Sequence, residues 1–284
     1  MSVPVHFEAP TALDFFAALV ADDASLPLLE AAVAVAQDEL PGLDVQGVLA
    51  QVDALAERLC SRLPDDAAPL QRLRMLNQFF FQELGFAGNV NNYYDPANSL
   101  LPTVLRTRRG IPLTLALLYI ELATQAGLHA VGVSFPGHFL VKLRMPRGEV
   151  VVDPFSGRSL TRDELEERLQ PYRRQASGAG PDELPLGLFL QPAPPRDVIA
   201  RLLRNLKEIH RITHDLDRLL AVQRRLVVLL PQDPYERRGL CLCLAQRGRH
   251  QEAAIELAAY LALAPDAPDA QALRSDLAQR RRAQ

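Results

Sequence analysis

Arg108-Arg109-Gly110-Ile111-Pro112 opens an apolar run that continues to Gly127, Pro136-Gly137-His138-Phe139 follows, and Asp153-Pro154-Phe155 closes the stretch. Proline is pre-set for the first helical position, so Pro112 predicts a helix over about 112–126. The β-branched runs Ala130 to Phe135, Phe139 to Leu143 and Glu149 to Val152 predict a small antiparallel sheet, with Pro146-Arg147-Gly148 as its hairpin turn. A helix start, a histidine entering one strand and an aspartate ending the next is the order that thiol-type acyl transfer requires. The helix N-terminus favours a thiolate and binds an oxyanion, and a carboxylate orients the histidine base. His138 lies 26 residues after Pro112 and Asp153 lies 15 after His138. At the thiol position stands Pro112, whose side chain has no lone pair to attack with and no proton to lose. No cysteine occurs between Cys60 and Cys241.

Each of these residues also has a plain structural explanation. Pro112 suffices as a helix starter, His138 as a hydrogen-bonded domain histidine, and Asp153 before proline as a turn former. Thr114 is the nearest hydroxyl, but two positions along a helix turn its side chain roughly 200° away, so it serves as nucleophile only if a hydroxyl is used at all. Arg106, Arg108 and Arg109 make either a cleft for an acidic ligand or a solvated face.

Working outward, apolar residues recur at helical spacing from Ala12 to about Leu84, and turn signals at Pro41-Gly42 and Pro64-Asp65-Asp66 cut the segment into three or four helices. Residues 1–86 therefore form an N-terminal helical region, one structural unit with an α+β core over 87–174. Ala87 to Asn98, with Asn89, Asn91, Asn92 and Asn98 and the pair Tyr93-Tyr94, has no period and is a loop. Its aromatics argue for seating against the mouth of the cleft, because they are costly to leave in water. Thr161-Arg162-Asp163-Glu164 opens another helix with a capping box. Residues 175–195, rich in Ser, Gly and Pro, are a linker. In 196–284, Leu230-Pro231-Gln232-Asp233-Pro234 aligns with Ala264-Pro265-Asp266-Ala267-Pro268 at a spacing of 34, the period of tetratricopeptide helix pairs. The earlier copy, about Ala200 to Pro231, is degenerate, so this tail is expected to need support from the N-terminal part.

Composition narrows the function classes. The chain has 284 residues, 48% of them hydrophobic and 23% charged, with a net charge of −3. That balance offers nothing by bulk charge to nucleic acid or an anionic membrane. Three cysteines in so long a chain argue against a disulfide scaffold and for a reducing, cytoplasmic compartment. Met1 to Glu8 shows no signal-peptide pattern, and the apolar run from Ile111 to Ala123 is short for a membrane span. His210, His214 and Asp217 share a helical face, but Arg211 and Arg218 beside them argue against a metal. Cys241-x-Cys243 reads as packing, and Arg280-Arg281-Arg282 as a disordered end. No cofactor and no metal are expected.

Four motifs in order, Asn92-Tyr93-Tyr94-Asp95-Pro96-Ala97-Asn98-Ser99, Arg108-Arg109-Gly110-Ile111-Pro112, Gly137-His138-Phe139-Leu140-Val141 and Asp153-Pro154-Phe155, resemble the transglutaminase-like superfamily. More narrowly they resemble bacterial SirB-type proteins, which join a transglutaminase-like domain to tetratricopeptide repeats. The resemblance implies a papain-like α+β core followed by an all-α repeat tail, a cleft whose active relatives use Cys, His and Asp, and a regulatory association. Matched by motif, His138 and Asp153 remain as a dyad while Pro112 replaces the cysteine, the pattern of a pseudoenzyme. The candidate binding residues are Asn92, Tyr94, Asn98, Arg109, Gly110 and Pro112. The expected function is recognition of a protein or peptide partner through the cleft and the repeats; the alternative is a hydrolase or acyltransferase using His138 and Asp153 with a non-cysteine nucleophile.

Overall fold

The computed structural model describes residues 10–176 and 185–275, with the side chains of 174–176 left aside. The expectations for Met1 to Glu8, for Arg280 to Arg282 and for 177–184 of the Ser/Gly/Pro stretch lie outside those residues.

The four N-terminal helices are α1 (Ala12–Leu19), α2 (Leu28–Ala34), α3 (Val45–Cys60) and α4 (Pro69–Asn77). Thr11 and Asp14 cap α1 reciprocally, and Asp44 caps α3 by accepting from the Gly47 N–H at 2.9 Å. α4 widens into a π-helical turn over Gln78–Glu83, where the Leu84 N–H reaches back five residues to the Phe79 carbonyl. β1 (Ala87–Gly88) pairs in parallel with β2 (Arg109–Gly110) across α5 (Leu101–Thr107). α6 (Pro112–Gln125) matches the predicted helix, and every residue from Pro112 to Tyr119 is buried. A helix that is apolar all round belongs inside a core. It lies between α3 and the first strands of the sheet.

The sheet runs β3 (His129–Val133), β4 (Leu140–Met145), β5 (Gly148–Asp153) and β6 (Arg158–Leu160), antiparallel throughout in chain order. The β4–β5 register brings Met145 opposite Gly148 around the Pro146-Arg147 turn. On one face Val133, Leu140, Val151 and Leu160 pack with Leu165 and Leu169 of α7 (Arg162–Ala176) and Leu186 of α8 (Leu186–Phe189). Val141 and Leu143, also buried, alternate to the other face, where α6 packs. Part of the span read as a linker is docked: Leu186 joins this core, Phe189 and Leu190 pack against it, and the Ala193 N–H donates to the Gly132 carbonyl at 2.8 Å.

The tail comprises α9 (Pro195–Ile212), α10 (Leu216–Leu229), α11 (Pro234–Gln246) and α12 (His250–Leu263). The 34-residue repeat is visible in its caps. Leu230 after α10 (φ −124°, ψ 65°) and Ala264 after α12 (φ −135°, ψ 73°) leave their helices with nearly the same backbone geometry. The helices bury Leu219, Leu220, Leu240, Leu244, Leu257 and Tyr260, with Cys241 and Cys243 both inside this core.

By contact, the chain divides into two compact units that do not follow chain order. One draws on Met1–Pro27, Gln37–Leu43 and Ile199–Gln284, the other on Leu28–Ala36 and Asp44–Val198. Within the first, α1 packs on α10. The Arg225 guanidinium, on a side chain only 1% exposed, donates to both carboxylate oxygens of Asp38 (2.5 and 3.0 Å) and lies over the Phe16 ring. In the same unit Glu39 accepts from Arg218 (2.9 Å) and lies 2.7 Å from His210 Nε2, so buried His210 faces a carboxylate. Among the described residues no cluster of His, Cys, Asp and Glu could hold a metal ion.

Candidate functional site

The site begins where β1 and β2 meet the N-terminus of α6. Arg108 ends α5 in the left-handed region (φ 59°), Arg109 and Gly110 follow as β2, and Ile111 then takes the N-cap of α6 in extended conformation with no side-chain cap. Asn98, 3% exposed, locks the preceding loop to this helix start. Its carbonyl accepts from the Ile111 N–H (3.3 Å) and the Thr114 hydroxyl (2.7 Å). Its side-chain amide donates to the Asn92 and Tyr93 carbonyls and accepts from Asn89 at 2.9 Å. Asn92 in turn donates to Asp95. The asparagines therefore replace the backbone bonds that an irregular loop lacks.

This placement settles what several predicted positions touch. Thr114 is fully buried and its hydroxyl proton goes to backbone carbonyls, which ties the loop to α6. The Arg109 guanidinium donates to the Gly85 and Arg108 carbonyls, and Arg108 stacks over Phe86. The expectation that both tyrosines are covered needs correction, since Tyr93 is 40% exposed and Tyr94 far more so. Tyr94 is 76% exposed, because the Asn92–Asp95 turn directs the chain outward there, while Tyr93 packs edge-on to it and tilts against Phe155.

His138 and Asp153 come together. His138 Nε2 lies 2.8 Å from Asp153 Oδ1; the histidine side chain is 21% exposed and the aspartate 4%. Asp153 ends β5, and its Oδ1 also accepts from the Phe155 and Ser156 N–H groups as the chain turns (2.9 and 3.4 Å). Burial pushes the Asp153 carboxyl up, but the hydrogen bond and charge of His138, with the Phe155 N–H, outweigh it and hold the carboxyl at about 2. A carboxylate so depressed stabilises the fold above its unfolded value and loses that contribution as pH falls towards 2. The stability gap between wild type and Asp153→Asn should therefore be on the order of 2 kcal/mol at pH 6 and close between about pH 5 and 2, followed by urea unfolding at each pH. A gap that stays constant over that range contradicts the assignment.

Two glycines let aromatic side chains close on this pair. A Cβ on Gly88 would lie 2.3 Å from the Phe155 ring, so Phe155 rests on the Gly88 backbone, whose N–H donates to the Phe155 carbonyl at 3.0 Å. Because Gly88 also pairs with Gly110, the Asp153-Pro154-Phe155 turn is carried to the α6 start, two residues before Pro112. At Gly137 (φ +67°) an added Cβ would fall 1.7 Å from the Tyr172 hydroxyl, so only glycine fits beneath that tyrosine. Sequence reasoning missed Tyr172 and its neighbour Arg168, which reaches Asp153 Oδ2 at 3.4 Å. Their signal is the spacing 165, 168, 169 and 172, which puts both on the α7 face set by Leu165 and Leu169.

Comparison with known proteins adds the lineage. Residues 46–204, more than half of the chain, match the transglutaminase-like superfamily model, and residues 206–278 match a tetratricopeptide repeat model. The chain is similar to a UPF0162 protein of Xylella fastidiosa, with 38% identity over 257 residues and 90% of each chain covered. It is also similar to one of Pseudomonas aeruginosa, with 34% identity over 204 residues and 72% of each chain covered. Among solved structures, menin is matched over 93% of this chain and 73% of its own at 12% identity and a TM-score of 0.39, a likeness too slight to carry an argument.

Proposed function

This chain belongs to the transglutaminase-like superfamily and to the UPF0162 family, and from that premise we propose that it is a non-catalytic recognition protein. The degenerate cleft and the repeat tail both serve protein or peptide partners. The observation that carries this reading is the pairing of a well-formed His138–Asp153 dyad with Pro112 at the helix start where the resemblance places the thiol. A base and its orienting carboxylate are retained, but a proline cannot attack an acyl carbon. Thr114 does not supply the missing group, because its buried hydroxyl is bonded to the Asn98 carbonyl. In the tail, Tyr235 and Ile255 are 77% and 67% exposed, the kind of apolar side chain that anchors a bound segment. No helix among the described residues is long and apolar enough to cross a membrane.

The test separates binding from turnover. Purified protein is offered a glutamine peptide with a primary amine, and separately a p-nitrophenyl ester, alongside an immobilised peptide library. Turnover is expected to match that of His138→Ala, whereas binding to selected peptides should weaken about tenfold or more in His138→Ala or Tyr235→Ala. Hydrolysis or transamidation that depends on His138 would overturn the reading in favour of an enzyme with a water or substrate nucleophile.

A further inference from the structure

Among the described residues, charged and titratable groups reach the His138–Asp153 pair from the sheet and from α7. Asp153 at the end of β5 accepts from the imidazole. Arg158, its register partner in β6, turns to Glu164 of α7 at 2.9 Å. Arg168 approaches the other Asp153 oxygen at 3.4 Å, and Tyr172, one turn further on, sets its hydroxyl over Gly137. The Asp153 carboxylate is thus shared between one oxygen for His138 and one for Arg168. The structure uses both oxygens, and only the Arg168 partner, with a side chain 39% exposed, meets solvent broadly.

We propose that Arg168 is a positioning residue of the dyad, which sets the protonation state and orientation of His138 through their common carboxylate. Two consequences follow from elementary electrostatics. The guanidinium shares the Asp153 carboxylate, so a proton on His138 gains less from that carboxylate than it would in an isolated pair. By holding Oδ2, Arg168 also fixes the rotation that presents Oδ1 to the ring, with the two N–H groups of the following turn as the other anchors. The inference concerns the state of the dyad and stands apart from whether that dyad binds or catalyses.

The measurement is the ring-nitrogen NMR spectrum of His138 in the full-length protein, taken for wild type, Arg168→Gln and Arg168→Lys near pH 7. Loss of the cation on the other oxygen of the shared carboxylate should raise the ratio of imidazolium to neutral imidazole at His138 about three- to tenfold in Arg168→Gln. Arg168→Lys keeps the charge and should stay within about twofold of wild type. A second measurement needs no variant: added salt screens the exposed guanidinium, so the ratio should rise with ionic strength in wild type and change less in Arg168→Gln. The proposal fails if Arg168→Gln leaves the ratio unchanged, if the lysine variant shifts as far as the glutamine variant, or if salt acts equally on both proteins.

Discussion

Asp38→Ala is expected to destabilise the unit containing the tail by about 3–5 kcal/mol, more than any single surface change in the chain. The reason lies in what it strands. Arg225 is among the largest fully buried side chains, and its positive charge is answered by the two Asp38 oxygens, the Phe16 ring and a 3.4 Å contact to the Ala12 carbonyl. Removing the carboxylate leaves a buried guanidinium without the charge that answers it. Replacing both partners, as in Asp38→Leu with Arg225→Met, removes the charge together with its partner and should recover most of the loss. Urea unfolding followed by circular dichroism, with amide exchange read along α10, gives both numbers. A loss below about 1 kcal/mol for Asp38→Ala, or a double variant as unstable as the single, would mean that the pair does not hold α10 in place.

The Asp38–Arg225 pair also shows where sequence reading stops. The tail was legible from its prolines, because a 34-residue spacing repeats a helix exit, and Leu230 and Ala264 do adopt matching backbone angles. Helix starts were legible for the same local reason: Pro112 and the Thr161–Glu164 box each satisfy their own backbone groups within one turn. Nothing local announces that Arg225 finds a carboxylate 187 residues earlier, or that α1 packs on α10. The dyad was legible because strand order fixes it: a residue entering β4 and one leaving β5 fall side by side in an antiparallel sheet. Arg168 and Tyr172 were not, since a charged and a phenolic side chain at the edge of the Leu165–Leu169 face show no partner until the sheet is in place. β6, three residues long, carries too little pattern to be read as a strand. The buried role of Asn98 was hidden for another reason: an asparagine in a polar loop predicts a turn, and only the structure shows it bonding the backbone of both the loop and the α6 start.

Restoring a thiol at the helix start should reveal how much of the family's chemistry the frame still supports. Pro112→Cys places a sulfur at the first position of α6, where the Leu113 and Thr114 N–H groups have no helical acceptor and the helix dipole favours an anion. The substitution also returns the N–H that proline lacks. Pro112 is buried, and burial alone would raise a thiol, so the outcome is a contest between desolvation and the dipole aided by a protonated His138. If the imidazole is aimed at position 112, the pair should settle as thiolate and imidazolium and the new thiol should ionise about one to three pH units below a free cysteine. The readout is the thiolate absorbance of Pro112→Cys minus that of wild type, which cancels Cys60, Cys241 and Cys243. It suits a buried position better than alkylation, because proton loss needs less access than a bulky reagent. In the Pro112→Cys, His138→Ala double variant the thiol should ionise at or above the free value, since burial then acts with only the dipole to oppose it. Identical titrations for the two variants would show that His138 does not face position 112. The proline would then be a helix starter of its own and the dyad a structural tie between β4 and β5, with no share in a former thiol site.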